Sequence, residues 1–300
     1  SACIVAHTLE TSGYSAIPLT GFQTGIKTND EFTNGIVLSV EVDRIKQVIE
    51  SGAVAVVAGF QGWNEEKDIV TLGRGGSDTT AIALGGTLKA DKVEIYTDVP
   101  GIAYTDPRII PSAPYLKSVD FKPMYILART GAKVVHHRAI EAAMHFQRPF
   151  WVKSTFTDDQ GTLVGEKGEA PGGLYGMALM KNVVLATRTK DPQCQLAKLA
   201  VNEWFYRQHP VRTSVILNPE DLSKVPADCK TKPVSVITIQ WDPEAGISPE
   251  TVAKALDSHG IVREAYFVVP GGGAWAIDEN RSKEAMLALY RAPLAYTRHE

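Results

Sequence analysis

The chain has 300 residues, enough for two domains with sizeable cores. Its hydrophobic fraction of 44% and charged fraction of 22% are ordinary for a soluble globular protein, and its net charge of -3 gives no general attraction to nucleic acid or membrane. No apolar run approaches the ~20 residues that span a bilayer, and the three cysteines lack metal-ligand spacing. We therefore expect a cytoplasmic protein with reduced thiols.

Predicted helices and strands alternate over the first 165 residues, which indicates an α/β fold with a mostly parallel sheet covered on both faces. The predicted elements are a helix and a strand within 1–21, a buried strand at 53–60, a helix at 79–90, a strand at 92–99, two helices separated by a glycine over 122–146, and a strand at 149–156. Gly85 and Gly86 interrupt the helical pattern at 79–90, either as weak points or as close-packing positions.

Residues 165–176 are rich in Gly, Glu and Pro, which predicts a linker, and the pattern beyond them indicates two small α+β modules. Ser248 and Gly260 are typical of the beginning and end of a helix. The predicted strands are 182–189, 211–217, 233–241, 262–269 and 273–277, and the predicted helices are 194–208, 248–260 and 282–292. The glycines of 270–275 could form an anion-binding loop, but a turn between strands is favoured.

The segment TLGRGGSDTT at 71–80 carries the first candidate binding residues. Its three glycines precede an apolar helix, so backbone N–H groups could approach an anion there. Arg74 offers a planar fork for a carboxylate or phosphate, Asp78 an acceptor for an ammonium group or a metal, and Ser77 a hydroxyl. An arginine and an aspartate four residues apart suit a zwitterion. The alternative is a glycine-rich turn with Asp78 near the N-cap of the next helix.

A second group of candidates follows the strand at 92–99. Thr97 and Asp98 stand at its carboxyl end, where open α/β sheets bind ligands. Arg108 closes a TDPR segment and could reach a phosphate, although the segment is also a good turn. Lys133 follows a helix break and is either a phosphate contact or a solvated surface lysine. The adjacent histidines at 136–137 point in different directions on a helix, which favours packing or capping over metal binding.

Six segments in order and spacing resemble aspartate kinases over residues 1 to about 165. They are LTGFQTGIKT, VAGFQG, TLGRGGSDTTA, IYTDVPGI with TDPR, GAKVVHHRA and GTLVG. The resemblance implies the amino-acid kinase fold, a three-layer α/β/α sandwich, over 1–165, followed by a linker at 166–176. It further implies a divergent regulatory region of two α+β ACT-like modules at 177–300, whose edge strands are expected to pair in an oligomer and which could bind an amino-acid effector such as lysine or threonine.

The resemblance also implies the reaction and the residues that carry it. The reaction is transfer of a phosphoryl group from Mg-ATP to the β-carboxylate of L-aspartate, with Mg²⁺ held mainly through the nucleotide phosphates. Arg74 and Asp78 form the implied catalytic and substrate site, where Arg74 binds a carboxylate of aspartate, Asp78 binds its amine and Ser77 supports them. The implied nucleotide contacts are Thr97, Asp98, Tyr104, Arg108, Lys133 and Val134.

Three departures from the family pattern qualify this reading. The K-F-G-G segment of the family does not occur in these 300 residues, and the family's G-E pair normally stands shortly before the position of Ser1, so catalysis is expected only if that N-terminal segment is supplied. Ala103 stands where an aromatic residue is usual, with Tyr104 next to it, and His137 replaces a proline. Two alternatives stay open: a kinase for another acidic substrate, and a non-catalytic paralogue or regulatory subunit that binds an amino acid or nucleotide and controls a partner.

Overall fold

The computed structural model describes residues 1–189, 195–210, 212–292 and 294. They form two compact units. Unit 1 comprises 1–99, 135–159 and 163–165, and unit 2 comprises 100–134, 160–162 and 166–300. This division differs from the predicted domain boundaries because residues within 100–134 pack with the C-terminal sheet. The assignment of domains and linker stays a prediction.

Apart from α2, which was not predicted, and from one predicted helix treated below, the helices of the described residues begin and end close to their predicted positions. They are α1 (Ala2–Thr11), α2 (Asp43–Glu50), α3 (Gly76–Thr87), α4 (Phe121–Arg129), α5 (His137–His145), α6 (Pro249–Asp257) and α7 (Ser282–Arg291). The Ser248 hydroxyl accepts a hydrogen bond from the Thr251 N–H (3.2 Å), so Ser248 is the predicted N-cap of α6. In the described part of the chain, no helix has both the length and the apolar character needed to cross a membrane.

The strands are short in the first half of the chain and long in the second. They are β1 (Ala16–Leu19), β2 (Ile26–Thr28), β3 (Val37–Val40), β4 (Val54–Val57), β5 (Gln61–Trp63), β6 (Ile69–Thr71), β7 (Glu94–Thr97), β8 (Ser118–Asp120), β9 (Phe150–Ser154), β10 (Thr162–Gly165), β11 (Leu174–Arg188), β12 (Tyr206–Gln208), β13 (Thr213–Leu217), β14 (Lys230–Trp241), β15 (Arg263–Val269) and β16 (Gly272–Asp278). A turn joins β15 and β16, as predicted for 270–275.

Unit 1 contains the predicted parallel strands. β1 pairs in parallel with β4, and β7 pairs in parallel with β9. A separate sheet has the order β3-β2-β5-β6, in which only the β2–β5 pair is parallel. The prediction that β4 is buried on both faces was wrong, because Val54 is 45% exposed and the other three residues of the strand are half-buried. Val56 and Val57 line an open pocket, so the described residues do not cover this strand completely.

Helix α3 packs closely against its neighbours in unit 1 through its two consecutive glycines. A Cβ atom on Gly86 would lie 2.6 Å from the Cβ of Phe146, which follows α5, and a Cβ atom on Gly85 would clash with Val93. Of the two readings of these glycines, close packing is therefore confirmed.

We expect Gly86→Ala to destabilise the protein by about 1–3 kcal/mol, the usual effect of overpacking. Alanine favours a helix by up to about 1 kcal/mol over glycine, so an open site would give a gain instead. Urea unfolding followed at unit 1 reporters measures the change, and an unchanged denaturant slope would confirm that the native state itself is affected. A variant as stable as the wild type would contradict the close packing.

Unit 2 is built on one antiparallel sheet with the order β12-β13-β11-β14-β16-β15. Helices α6 and α7 cover one part of this sheet, and α4 packs on β11 and β14. A core cluster of this unit joins helix residues to the central strands. Its members include Val252, Leu256, Met286 and Leu289 from the helices, and Ile237, Ile239, Trp275 and Ile277 from the strands. The two predicted α+β modules therefore share a single sheet.

The outer strands of this sheet approach each other. The Arg207 guanidinium donates to the Tyr266 carbonyl (3.0 Å), and the Arg212 guanidinium donates to the Glu264 carbonyl (2.8 Å). Five strand spacings of ~4.8 Å would separate β12 from β15 by about 24 Å in a flat sheet, beyond the reach of one side chain. The sheet is therefore strongly curved.

The helix predicted over 194–208 was wrong. Leu196–Leu199 and Glu203–Phe205 are short 3₁₀ turns, and β12 follows them. The Val201 N–H donates to the Ile216 carbonyl (2.9 Å), and the Asn202 side chain accepts from the Trp204 N–H (3.1 Å). Strand contact and a capping asparagine thus replace the helical hydrogen bonds in the middle of the predicted element. Cys194 lies outside the described residues.

Candidate functional site

The glycine-rich loop between β6 and α3 is held in a conformation that requires glycine. Gly73 and Gly75 have φ angles of 71° and 77°, in the left-handed region. A Cβ atom on Gly73 would lie 2.6 Å from the Asn34 Oδ1, and a Cβ atom on Gly75 would clash with His136. The loop therefore packs directly against two neighbouring segments, which restrict its backbone conformation.

The hydroxyl groups that follow this loop are mostly used inside the fold. Thr79 donates to the Gly75 carbonyl (3.0 Å), and Thr80 donates to the Gly76 carbonyl (2.8 Å). The Thr80 hydroxyl also accepts from the Phe60 N–H (3.1 Å). Ser77 is exposed. It is therefore the hydroxyl of this segment best placed to meet a ligand.

Asp78 lies half-buried in the first turn of α3. Within the described residues its carboxylate has neither a hydrogen-bond donor nor an ion-pair partner, and burial raises the pKa of this carboxyl above its usual range. The N-cap of α3 is Gly75, and no side chain caps the helix. Asp78 therefore lies near the N-cap of α3, as the alternative reading has it, but its side chain does not cap the helix.

Arg74 is exposed at the tip of the loop, and in the described part of the chain it makes no ion pair. Its charge, after burial and the charge of Arg138, lowers the pKa of the His136 imidazole. Arg74 therefore lies near the beginning of α5. Among the described residues, Arg74 on the loop and the half-buried Asp78 in the first turn of α3 are thus a cation and a carboxylate, four residues apart, that lack ion-pair partners.

A pocket of about 490 Å³ opens at the carboxyl end of β4. Helix α1 begins at this pocket, and Ser77 in the first turn of α3 is part of its wall. Its lining residues are Ser1, Ala2, Cys3, Val5, Thr20, Val56, Val57, Ala58, Gly59, Gln61 and Ser77. The pocket thus lies at the carboxyl end of β4, where α/β folds bind ligands, and beside the first turn of α3, where a helix N-terminus favours an anion. Arg74 and Asp78 do not line it.

The loop is supported by Arg138 and Asn34, two polar residues that the sequence analysis did not single out. The Arg138 guanidinium donates to the Leu72 carbonyl and to the Asn34 Oδ1, each at 2.7 Å. His136 caps α5 by accepting from the Arg138 N–H (3.4 Å), which confirms the predicted capping role. The segment around Arg138 carried no signal beyond its family resemblance, because its partners are 66 and 104 residues away.

The predicted nucleotide residues fall in both units. In unit 1, Thr97 ends β7, and its hydroxyl donates to the Asp98 carboxylate (3.1 Å). Asp98 is exposed and Thr97 half-buried. Their position at the carboxyl end of a parallel strand is the one predicted.

In unit 2, Arg108 is exposed and forms a forked pair with Asp106, at 2.8 and 2.9 Å. This guanidinium lowers the pKa of the Asp106 carboxyl. Lys133 is exposed and Val134 is half-buried. Tyr104 packs edge-on against Tyr290 with ring centroids 6.1 Å apart, and burial of its hydroxyl strongly raises its pKa.

The environment of Tyr104 is that of a core residue of unit 2. Arg108 would have to leave or share Asp106 to contact a phosphate. The nucleotide role of all six residues stays a prediction. In the described ranges, no group of three or more His, Cys, Asp or Glu side chains is arranged to hold a metal ion.

Comparison with known proteins identifies the relatives of this chain. A profile of the amino acid kinase family matches residues 1–154. The aspartokinase of Geobacillus stearothermophilus is 44% identical over 167 residues, which cover 56% of this chain and 41% of that protein. Aspartokinase 2 of Bacillus subtilis is 44% identical over 186 residues, 61% of this chain and 46% of that protein. The chain thus spans less than half the length of these curated relatives.

Solved structures extend the similarity in fold to nearly the whole chain. E. coli aspartokinase III in complex with aspartate and ADP superimposes with a TM-score of 0.77 at 21% identity, over 96% of this chain and 72% of that one. The same enzyme with lysine and aspartate gives a TM-score of 0.73 at 22% identity, over 96% and 72%. Clostridium acetobutylicum aspartate kinase gives 0.78 at 19% identity, over 97% and 73%. The predicted α/β fold of aspartate kinases is thereby confirmed.

Proposed function

The chain belongs to the amino acid kinase family, and on that premise we propose that it is part of an enzyme that phosphorylates the β-carboxylate of L-aspartate. The proposal is supported by the sequence similarity to aspartokinases, which includes the GRGGSD loop, and by the fold shared with aspartokinase structures. The phosphoryl donor is ATP, in line with the ADP complex of the E. coli enzyme.

The single observation that carries the substrate assignment is the pair of unpartnered charges around the loop. Arg74 is an exposed guanidinium, and Asp78 is a half-buried carboxylate without a donor or cation among the described residues. An unpaired carboxylate is costly where it is partly buried, so Asp78 favours a ligand with a cation, and exposed Arg74 is free to meet the anionic group of the same ligand. An α-amino acid has both: a carboxylate for Arg74 and an ammonium group for Asp78. Ser77 then meets the ligand from the adjoining pocket wall.

The chemistry of this reaction suits residues that bind rather than residues that move protons. A carboxylate attacks phosphorus without losing a proton, so the site needs positioning and charge neutralisation instead of a general base. The left-handed glycines bring backbone N–H groups to the helix start, where they stabilise an anion. Mg²⁺ would supply charge neutralisation on the nucleotide phosphates, which would mainly hold it.

We propose the nucleotide contacts on motif matches alone. They are Thr97, Asp98, Tyr104, Arg108, Lys133 and Val134. The domain assignment is proposed in the same way, with 1–165 as the kinase domain, 166–176 as the linker and 177–300 as the ACT-like regulatory region. The lysine complex of the E. coli enzyme supports an amino-acid effector for that region, and ACT-like sheets suit a homo-oligomer.

Calorimetric titration of the 300-residue chain tests the substrate assignment directly. We expect L-aspartate to bind more tightly than succinate, which lacks the amine, and more tightly than β-alanine, which lacks the α-carboxylate. Each missing charged contact should weaken binding about 10-fold to 100-fold, the effect of losing a charged hydrogen bond. L-Glutamate, longer by one methylene, separates a pocket fitted to aspartate from a general amino-acid site.

Other outcomes point to the alternatives. If L-aspartate binds no more tightly than succinate, the proposed roles of Arg74 and Asp78 are wrong. If glutamate is preferred, the acidic substrate is a different one. If an amino acid binds only through the C-terminal region and neither aspartate nor Mg-ATP binds unit 1, the regulatory-subunit reading replaces the enzyme.

A further inference from the structure

We propose that Arg138 is a positioning residue of the substrate site, which fixes the loop of residues 72–76 so that Arg74 and Asp78 meet the substrate. The inference rests on the proposed function for its effect on aspartate. It rests on the structure of unit 1 alone for its effect on the loop. Arg138 is not placed in contact with the substrate.

The first argument is the set of acceptors that Arg138 holds. One guanidinium nitrogen donates to the Leu72 carbonyl and to the Asn34 Oδ1, each at 2.7 Å, and the other donates to the Asn34 carbonyl (3.2 Å). Leu72 is the residue at which the chain leaves β6 and enters the loop. A single planar fork therefore joins α5, the segment before β3 and the first residue of the substrate loop.

The second argument is the steric fit around these bonds. A Cβ atom on Gly73 would lie 2.6 Å from the Asn34 Oδ1 and 3.3 Å from the Arg138 guanidinium. Gly75, two residues further, lies directly against the His136 side chain. Both left-handed glycines thus contact the beginning of α5 or its hydrogen-bond partner. The conformation of the loop between them is defined by α5 and not by the loop alone.

The third argument is electrostatic. Burial and then the charges of Arg138 and Arg74 lower the pKa of His136, so both guanidiniums lie near the same imidazole. A lowered pKa favours the neutral ring, whose Nδ1 accepts from the Arg138 N–H. Two cations near a neutral ring repel each other weakly and together favour a bound carboxylate. Arg138 is committed to its three acceptors, so Arg74 is the one available to a ligand.

Hydrogen exchange tests the positioning role without requiring activity. In the native protein the Leu72 N–H donates to the Phe60 carbonyl and the Gly76 N–H donates to the Gly73 carbonyl, so both amides report opening of the loop. We expect Arg138→Gln to accelerate their exchange about 10-fold to 100-fold, the equivalent of losing a charged hydrogen bond. The matched control is Arg148→Gln, which removes one arginine bond to the Ala90 carbonyl elsewhere in unit 1.

Ligand binding tests the consequence of the positioning. Arg138→Gln should weaken L-aspartate binding by at least about 10-fold and leave Mg-ATP binding unchanged, because misplacing a binding group by ~1 Å has effects of this size. Arg138→Lys should recover part of the affinity, since it keeps the charge and loses the fork. If Arg138→Gln does not fold, Arg138→Lys and Asn34→Ala carry the test. The double variant Asn34→Ala/Arg138→Lys should be less than additive, because the two side chains share a bond.

The outcomes separate this inference from the proposed function. Unchanged exchange at Leu72 and Gly76 in the Arg138 variants overturns the positioning role, whatever binds. Loss of aspartate and Mg-ATP affinity to the same extent also overturns it, because that indicates general destabilisation. Faster loop exchange in a protein whose wild type binds no aspartate supports the positioning role and refutes the proposed substrate.

Discussion

Arg74→Ala is expected to weaken L-aspartate binding by about 100-fold while leaving the stability of the protein unchanged. The guanidinium is exposed and, among the residues described, pairs with no carboxylate, so its removal breaks no ion pair of the folded protein. In the complex it would form a forked, charge-assisted pair with a substrate carboxylate. Loss of such a pair is worth about 2–3 kcal/mol, or roughly 30-fold to 150-fold in affinity.

Calorimetry on three variants separates the loss of a specific contact at Arg74 from an effect of overall charge. Arg44→Ala removes an exposed arginine from α2 in the same unit, so it controls for the change in net charge and should bind as the wild type does. Arg74→Lys keeps the charge without the fork and should recover less than half of the binding free energy that is lost. Equal losses in Arg74→Ala and Arg44→Ala would show that the effect is one of overall charge, and Arg74 would then not be a substrate contact.

The sequence predicted the elements whose local signals agree with the tertiary structure. Apolar runs predicted β1, β4, β7 and β9, and the capping pattern from Ser248 to Gly260 predicted α6. Helix α2 and the short strands β2, β3, β5, β6, β8 and β10 were not predicted. The failure at 194–208 has an identifiable cause. Helical spacing there was outweighed by pairing of Val201 with β13 and by the cap at Asn202, neither of which the pattern distinguishes from a helix.

The sequence predicted which residues of the candidate site could bind a ligand, but not the residues that hold the loop in place. The residue types of the loop indicated an amino-acid ligand, and the structure adds that Arg74 and Asp78 are unpaired among the described residues. Arg138 and Asn34 could not be found from sequence, because their contacts with the loop depend on segments that only the fold brings together. The Thr79 and Thr80 hydroxyls are bonded to carbonyls at the start of α3, which leaves Ser77 as the exposed hydroxyl of this segment.

The pH dependence of aspartate binding provides the second large effect, and Asp78 is its source. Burial raises the pKa of this carboxyl in the free protein, whereas a bound ammonium group would favour the ionised form and lower it. The bound state therefore holds fewer protons than the free state in the interval between the two pKa values. Affinity is expected to be full above the raised pKa of free Asp78 and to fall as the pH decreases through it.

Asp78→Asn should remove this pH dependence and lower the affinity at neutral pH by about 10-fold to 100-fold, the effect of losing a charged hydrogen bond. Ionisation of Asp78 has the opposite effect on folding stability from its effect on aspartate binding. Because the folded-state pKa of Asp78 lies above its unfolded value, ionised Asp78 opposes folding at neutral pH, and Asp78→Asn should not destabilise the protein. Asp43→Asn is the matched control, since Asp43 also occupies the first turn of a helix in unit 1.

Titrations in buffers of different ionisation enthalpy count the protons released on binding. If wild-type binding releases no protons between neutral pH and the usual carboxyl range, the substrate amine does not meet Asp78. If Asp78→Asn is stabilised and still binds aspartate normally, this carboxylate belongs to another ligand.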